Sequence, residues 1–512
     1  TQIQNVQKLV YEVKRADPDK DVIDETGFQT TSSYTACRDS LPVTDNRCPH
    51  CGGHINDSTK VRGLSLTGTI INQTVIPYLL ELCPQMQVMG VVHNGQRYIS
   101  FTDSRQGTAR STLLINSNVE RNWTRSYIYH SIWNSPSTPL PLNTCLNDIQ
   151  NENDFSVLKD NTKFSHDYPK PYAEALLIDQ IGSRAMRGNS VESMGIAQLQ
   201  YDRLSSVNAP ATLKQYVPAG LADDIWRTFL KLCIDYNIRP NSHILVNKNT
   251  RYYLTQRHHQ SFIYSWASAA SETVIVNNRQ VTKRRKRFPI GISKSNQIER
   301  PVLYVMILMG LNDINALTSR HLADIDALLK QAWDDLSRFV LTPITSKAGP
   351  APADMPYILD LFDTAKTTSL KIVKNAWLCP ATATVLDTVL TVYDKTGNIR
   401  YQVSPNIKGS LTPENLNVFK IPVKNAIVFP DFPYPNRQDS SHNPVSPSTI
   451  IAWANGDTDV RNLRMMGIWN DLMDRIILKE PIFLSAEHSA QQSPEELRTI
   501  EEKFKNGQIN VL

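Results

Sequence analysis

Four residues near the start of the sequence, Cys37, Cys48, Cys51 and His54, have the types and spacing to hold a metal ion. Two thiolates separated by two residues, as in Cys48-Pro-His-Cys51, can clasp one tetrahedral zinc, and Gly52 and Gly53 permit the tight turn. Cys37 supplies a third thiolate. The position three residues after it, which would complete a second pair, is Ser40, so the fourth ligand falls to His54 or His50. The expected ion is zinc in a structural role, because a small loop-rich unit has little core of its own. The plain alternative is a degenerate, metal-free remnant.

Two further stretches carry clustered polar side chains. In "RYISFTDSRQGTAR", Arg97 to Arg110, an apolar β-run breaks off into Thr102, Asp103, Ser104 and Arg105. This is either a capped turn, with an internal Asp103–Arg110 pair, or a polar crest at the carboxyl edge of a sheet, where α/β proteins put their ligands. Later, "KRRKR" concentrates cations, and Lys283, Arg284 and Arg285 could meet phosphates. A solvated basic loop explains the same run. Glu487-His488-Ser489 resembles a catalytic triad in letters only, since consecutive residues do not converge on one another. His258 and His259 would point apart on a strand, which argues against a metal pair.

The elements that must position these residues follow from the hydrophobic pattern. Residues 64–135 read as helix, strand, helix: "QTVIPYLLELCPQ", "RYISFTDS" and "TARSTLLINSNVERNWTRSYIYHSIW". From 136 to 445 the alternation stops. That region holds the amphipathic "ADDIWRTFLKLCIDYNI", in which Trp226, Phe229, Leu230 and Cys233 fall at core spacing. It also holds "PVLYVMILMGL", too short for a membrane span and suited to a core helix or strand. The proline-dense "FPDFPYPNRQDSSHNPVSPS" reads as an extended linker. From about 456 to 512 the rhythm resumes, with the helix "RNLRMMGIWNDLMDRII", the strand "PIFLSAEHS", a helix capped at Ser493 and the strand "INVL". The fold class is therefore α/β. One domain, 64–135 with 446–512, is interrupted by a mostly helical α+β insertion at 136–445 and preceded by an arm and zinc knuckle at 1–63.

Bulk numbers bound the function. At 512 residues, with 41% hydrophobic and 20% charged residues, the chain is an ordinary globular protein of roughly two to four domains. A net charge of +5 does not by itself establish a nucleic-acid partner. Seven cysteines, sparse and odd in number, suit a reducing cytoplasm better than a disulfide framework. No membrane segment or signal sequence is expected. Both ends read as cut within a larger protein, because a strand abandoned after "INVL" is not a natural domain end.

Four stretches, "SFTDSRQGTAR", "NSVESMGIAQLQY", "WLCPATATVLDT" and "AEHSAQQS", occur here in the order in which similar sequences occur in one protein family. The chain resembles very large bacterial superfamily 2 DEAD/DEAH-box helicases with cysteine-rich zinc-binding modules, of the type represented by the helicase subunit of the Druantia anti-phage defence system. The resemblance spans most of residues 37–512. It implies that 64–135 and 446–512 form a second RecA-like domain, incomplete and split. It also implies that Thr102, Ser104, Arg105, His488, Ser489 and Gln491 contact a nucleic-acid backbone, with DNA the expected partner.

Several parts of a motor are missing from the sequence. It has no Gly-Lys-Ser/Thr phosphate loop, no Asp-Glu-x-His/Asp box and no arginine finger, so this chain alone should not hydrolyse ATP. The resemblance implies that ATP and magnesium belong to the full-length parent. The expected role is a part of an ATP-dependent helicase or translocase of antiviral defence, supplying nucleic-acid grip and an accessory domain. The competing expectation is a non-catalytic interaction module that docks a partner subunit of a defence system or senses foreign DNA.

Overall fold

The computed structural model describes residues 22–23, 29–30, 68–86, 91–101, 105–135, 139–160, 168–182, 190–241, 244–257, 271–276, 279–284, 288–292, 299–343, 357–382, 384–422, 426–489 and 492–512. The expected zinc set Cys37, Cys48, Cys51 and His54 lies outside the described residues, as do Thr102, Ser104, Arg285 and Gln491.

Two stretches far apart in sequence make one small parallel sheet. Residues 97–101, 509–512 and 482–486 lie side by side in that order, and Val511 bridges Tyr98 on one flank and Ser485 on the other, both in parallel. Tyr98 N donates to Asn510 O at 2.7 Å, and Leu512 N returns a bond to Tyr98 O at 3.1 Å. On the other side Val511 N donates to Leu484 O at 3.0 Å and Ala486 N to Val511 O at 2.8 Å. The centre of this sheet is apolar and covered: Ile509 and Val511 are buried. Parallel pairing across the intervening sequence is what the interrupted α/β rhythm led one to expect.

Four helices frame the sheet: α1 (Gly68–Leu82), α2 (Arg105–Asn134), α3 (Asp471–Leu478) and α4 (Pro494–Lys505). α4 joins 482–486 to its neighbour 509–512, as parallel neighbours require. Its start is local chemistry. Ser493 accepts from Glu496 N, the Glu496 side chain returns the bond, Pro494 fills the first turn, and Lys503 and Lys505 close the last. The expected single helix over 461–477 is instead two, Thr458–Met465 and α3. Gly467 sits at φ 70°, where a helix cannot continue, and Asn470 caps the restart by accepting from Met473 N.

The 30 residues of α2 extend about 45 Å and join two cores. Ile115 packs with Ile76, Leu80 and Val511 beneath the sheet. Further along, Val119, Trp123 and Tyr127 enter the large core of the insertion. Its last turns meet the proline-dense stretch, which is more than a linker: Phe432 is 2% exposed and lies 5.4 Å from Tyr129 and 5.7 Å from His130, ring to ring.

The insertion mixes helices with small antiparallel sheets. One has Thr368–Lys371 between Leu140–Pro141 and Gln198–Tyr201. The run "PVLYVMIL" becomes the helix Arg300–Leu308, buried on every side. Its neighbour Ala222–Cys233 buries Trp226, Phe229, Leu230 and Cys233 at the core spacing read from the sequence, and passes into a π-turn at Ile234–Ile238. At that turn sits an ion network. Arg239, 1% exposed, donates to Glu192 Oε2 at 2.6 Å and Oε1 at 3.2 Å, to Asp235 Oδ1 at 2.9 Å and to the Ile181 carbonyl. Lys231 links Asp235 at 2.6 Å to Asp387 at 2.8 Å, and Tyr201 donates to Asp235 at 2.7 Å. Burial opposes the charge on Arg239, but Glu192, Tyr201 and Asp235 outweigh it and hold the guanidinium well above its usual pKa. Among the described residues no helix is long and apolar enough to cross a membrane.

Candidate nucleic-acid interface

The candidate loops can be placed from the sheet alone. Because 97–101 and 482–486 both run parallel to 509–512, their carboxyl ends point the same way. The first leads into α2, which opens at Arg105, and the second leads into Glu487, His488 and Ser489. These two sets of residues therefore leave the same edge of the sheet. Lys283 and Arg284 are not part of that edge. They lie on the second strand of a separate hairpin, Ser271–Val276 with Arg279–Arg284, in which Lys283 pairs with Glu272 and Arg284 with Ser271.

His488 and Ser489 of the second loop are each engaged by a carboxylate. His488, exposed at the surface, places Nε2 3.0 Å from Glu501 Oε1 of α4. Ser489 Oγ donates to Glu487 Oε1 at 2.6 Å. The letters Glu-His-Ser thus resolve into two contacts, neither of them the His-to-Ser bond that nucleophile activation requires. A phosphate arriving here would meet the histidine and the hydroxyl only by displacing acidic partners.

The two helix starts at this edge differ. α4 begins with Glu495 and Glu496, and Glu496 is consumed in its own capping box. α2 has no acid in its first turn and begins with an arginine. The positive end of the helix dipole favours an anion at such a start.

Behind the edge, three side-chain amides stitch the segments together. Asn510, fully buried, donates to Val92 O at 2.9 Å and Gln96 O at 2.8 Å and accepts from Leu484 N at 3.0 Å. Gln96 donates to Cys83 O at 2.8 Å and Glu81 O at 3.2 Å, so its carbonyl is left to accept from His93 Nδ1 at 3.0 Å. Burial holds the His93 pKa below its usual value and so favours the neutral ring. Asn116 of α2 meets Ser485: its amide donates to Ser485 O at 2.8 Å and accepts from Ser485 N at 2.9 Å. At the far end of the sheet Arg97 donates to the carbonyls of Phe504 and Lys505, at 3.3 and 3.1 Å, and closes the carboxyl end of α4.

Sequence reasoning did not find Asn116, Asn510, Gln96, Arg97 or Glu501. A lone amide or charge on an amphipathic pattern gives no sign of its partner, whether a carbonyl hundreds of residues away, as for Asn116, Asn510 and Arg97, or a group about four turns of chain away, as for Gln96 and Glu501. No family model, no curated protein and no solved structure matches this chain.

Proposed function

We propose that this chain is the nucleic-acid-gripping part of an ATP-dependent helicase or translocase of bacterial antiviral defence. Residues 64–135 and 446–512 would be a split RecA-like half-domain, and the insertion at 136–445 an accessory surface. The observation that carries this reading is the parallel pairing of Tyr98 and Ser485 on Val511, which sends two loops out at one edge. Motor domains hold a phosphate backbone from such loops, through hydroxyls, N–H groups and cations. Thr102, Ser104 and Arg105 would serve from the first loop, with His488, Ser489 and Gln491 from the second. The basic run Lys283, Arg284 and Arg285 would be a second phosphate contact on the insertion. ATP and magnesium would bind in the parent protein's other parts.

The test is a titration with single-stranded DNA at two salt concentrations. Arg105→Ala is expected to weaken binding of all sequences alike and to lower the log–log salt slope by about 0.7, the value of one phosphate contact on a single strand. Glu501→Gln, which removes the carboxylate beside His488, is expected to tighten binding about twofold, a surface-charge effect that fades at high salt. If neither variant changes affinity while Arg105→Ala lowers stability, the edge is an ordinary capped turn and the docking-module reading gains.

The zinc knuckle is proposed on the same footing. Metal analysis is expected to find about one zinc per chain, held by Cys37, Cys48 and Cys51 with His54 or His50 as fourth ligand. A metal-free protein whose stability ignores chelator rules it out.

A further inference from the structure

Ser485 is 4% exposed, and the segment in which it sits is bonded on both sides. Toward the sheet, its neighbours Leu484 and Ala486 bond the 509–512 segment. Its own N–H and C=O face the other way, where a further strand would normally take them. Asn116 takes that place with one side chain, donating at 2.8 Å and accepting at 2.9 Å. The contact is specific to an amide, since a carboxylate cannot donate to the carbonyl and a methyl group can do neither.

Its position matters more than its strength. Asn116 stands about three turns after Arg105 on the same helix, and Ser485 stands three residues before His488. One rigid element therefore fixes both where the first loop ends and where the second begins. We propose that Asn116 is a positioning residue for the His488–Ser489 arm, holding it in register with the start of α2 so that both can engage one phosphate backbone. This rests on the grip reading above and adds to it a residue that touches no nucleic acid.

The experiment combines two readouts on the full chain. Hydrogen exchange followed by mass spectrometry reports the 484–493 segment, with 222–238 as an internal reference for global folding. Affinity is measured against oligothymidylate of about 20 nucleotides, long enough for typical single-strand sites. Asn116→Ala and Asn116→Asp are each expected to speed exchange in 484–493, to leave 222–238 unchanged and to weaken binding about fivefold, a loss comparable to one phosphate contact. Asn116→Gln, which keeps both amide groups, is expected to recover part of both losses and covers the case in which the alanine variant does not fold. Faster exchange with unchanged affinity, while Arg105→Ala and His488→Ala still weaken binding, overturns the proposal and leaves Asn116 a strut. Unchanged exchange in 484–493 overturns it whatever the affinity does. If Arg105→Ala and His488→Ala bind as tightly as the parent, the grip reading itself has failed, and the proposed role of Asn116 in it falls too.

Discussion

Arg239→Met lowers the stability of the insertion core by about 3–5 kcal/mol, the usual cost of breaking a buried ion pair by removing one partner. The side chain fits the space, so the loss is electrostatic. The guanidinium lies between Glu192 and Asp235, each paired to it within 3.0 Å, and all three residues are essentially out of solvent. Without it, Glu192 loses its guanidinium in a low-dielectric interior, Asp235 keeps only the cation of Lys231, and the Ile181 carbonyl loses its donor. The double variant Arg239→Met/Glu192→Gln, which removes a charge of each sign, is expected to regain a substantial part of the loss. Urea unfolding of the three proteins measures this. Equal midpoints for Arg239→Met and the parent would mean that the network contributes specificity and no stability.

The second large effect is on pH. His130 is 3% exposed, and burial, reinforced by Lys479 and Arg437, pushes its pKa down to about 4, while its bond to the Ile476 carbonyl works weakly the other way. A folded-state pKa below the unfolded value near 6.5 means that the unfolded chain takes up the proton first. Stability is fully present above about pH 6.5 and falls as the pH drops toward 4, by about 3 kcal/mol in all. Glutamine at 130 can still donate to Ile476 and does not titrate. His130→Gln should therefore match the parent at pH 5 more closely than at pH 7, or surpass it there. Comparing the two proteins at each pH cancels the contributions of half-buried carboxyls such as Glu480, whose pKa is raised by partial burial and which act in the opposite sense. Parallel pH profiles would show that another group governs acid unfolding.

How much of this was legible beforehand depended on range. The cap at Ser493 and the core face of Trp226, Phe229, Leu230 and Cys233 depend on neighbours within a few residues, and both were readable. The break at Gly467 depended on a conformational preference that the apolar pattern on either side masked. Resumption of the α/β rhythm near 456 pointed to the parallel sheet, yet not to its order, because nothing local says that the latest segment is the central one. The amide of Asn116 and the carboxylate of Glu501 could not be assigned, since their roles exist only after the fold has formed.

That central segment has a consequence for how the molecule is made. Asn510 bonds Val92 across 418 residues of chain. For an unfolded chain, such a closure is slow and entropically costly. The insertion removes most of that cost: with Ser126 Oγ bonded to Ile476 O at 2.8 Å, α2 and α3 are already side by side once its core has formed. From there only the short stretch through α4 has to search. Assembly should accordingly run from the inside outward, with the insertion as template and the sheet sealed last. Until 509–512 arrives, 97–101 and 482–486 have no strand between them and stand as open edges. A lesion deep in the insertion, such as one at Arg239, should then surface as aggregation during synthesis before it is felt as weakened binding.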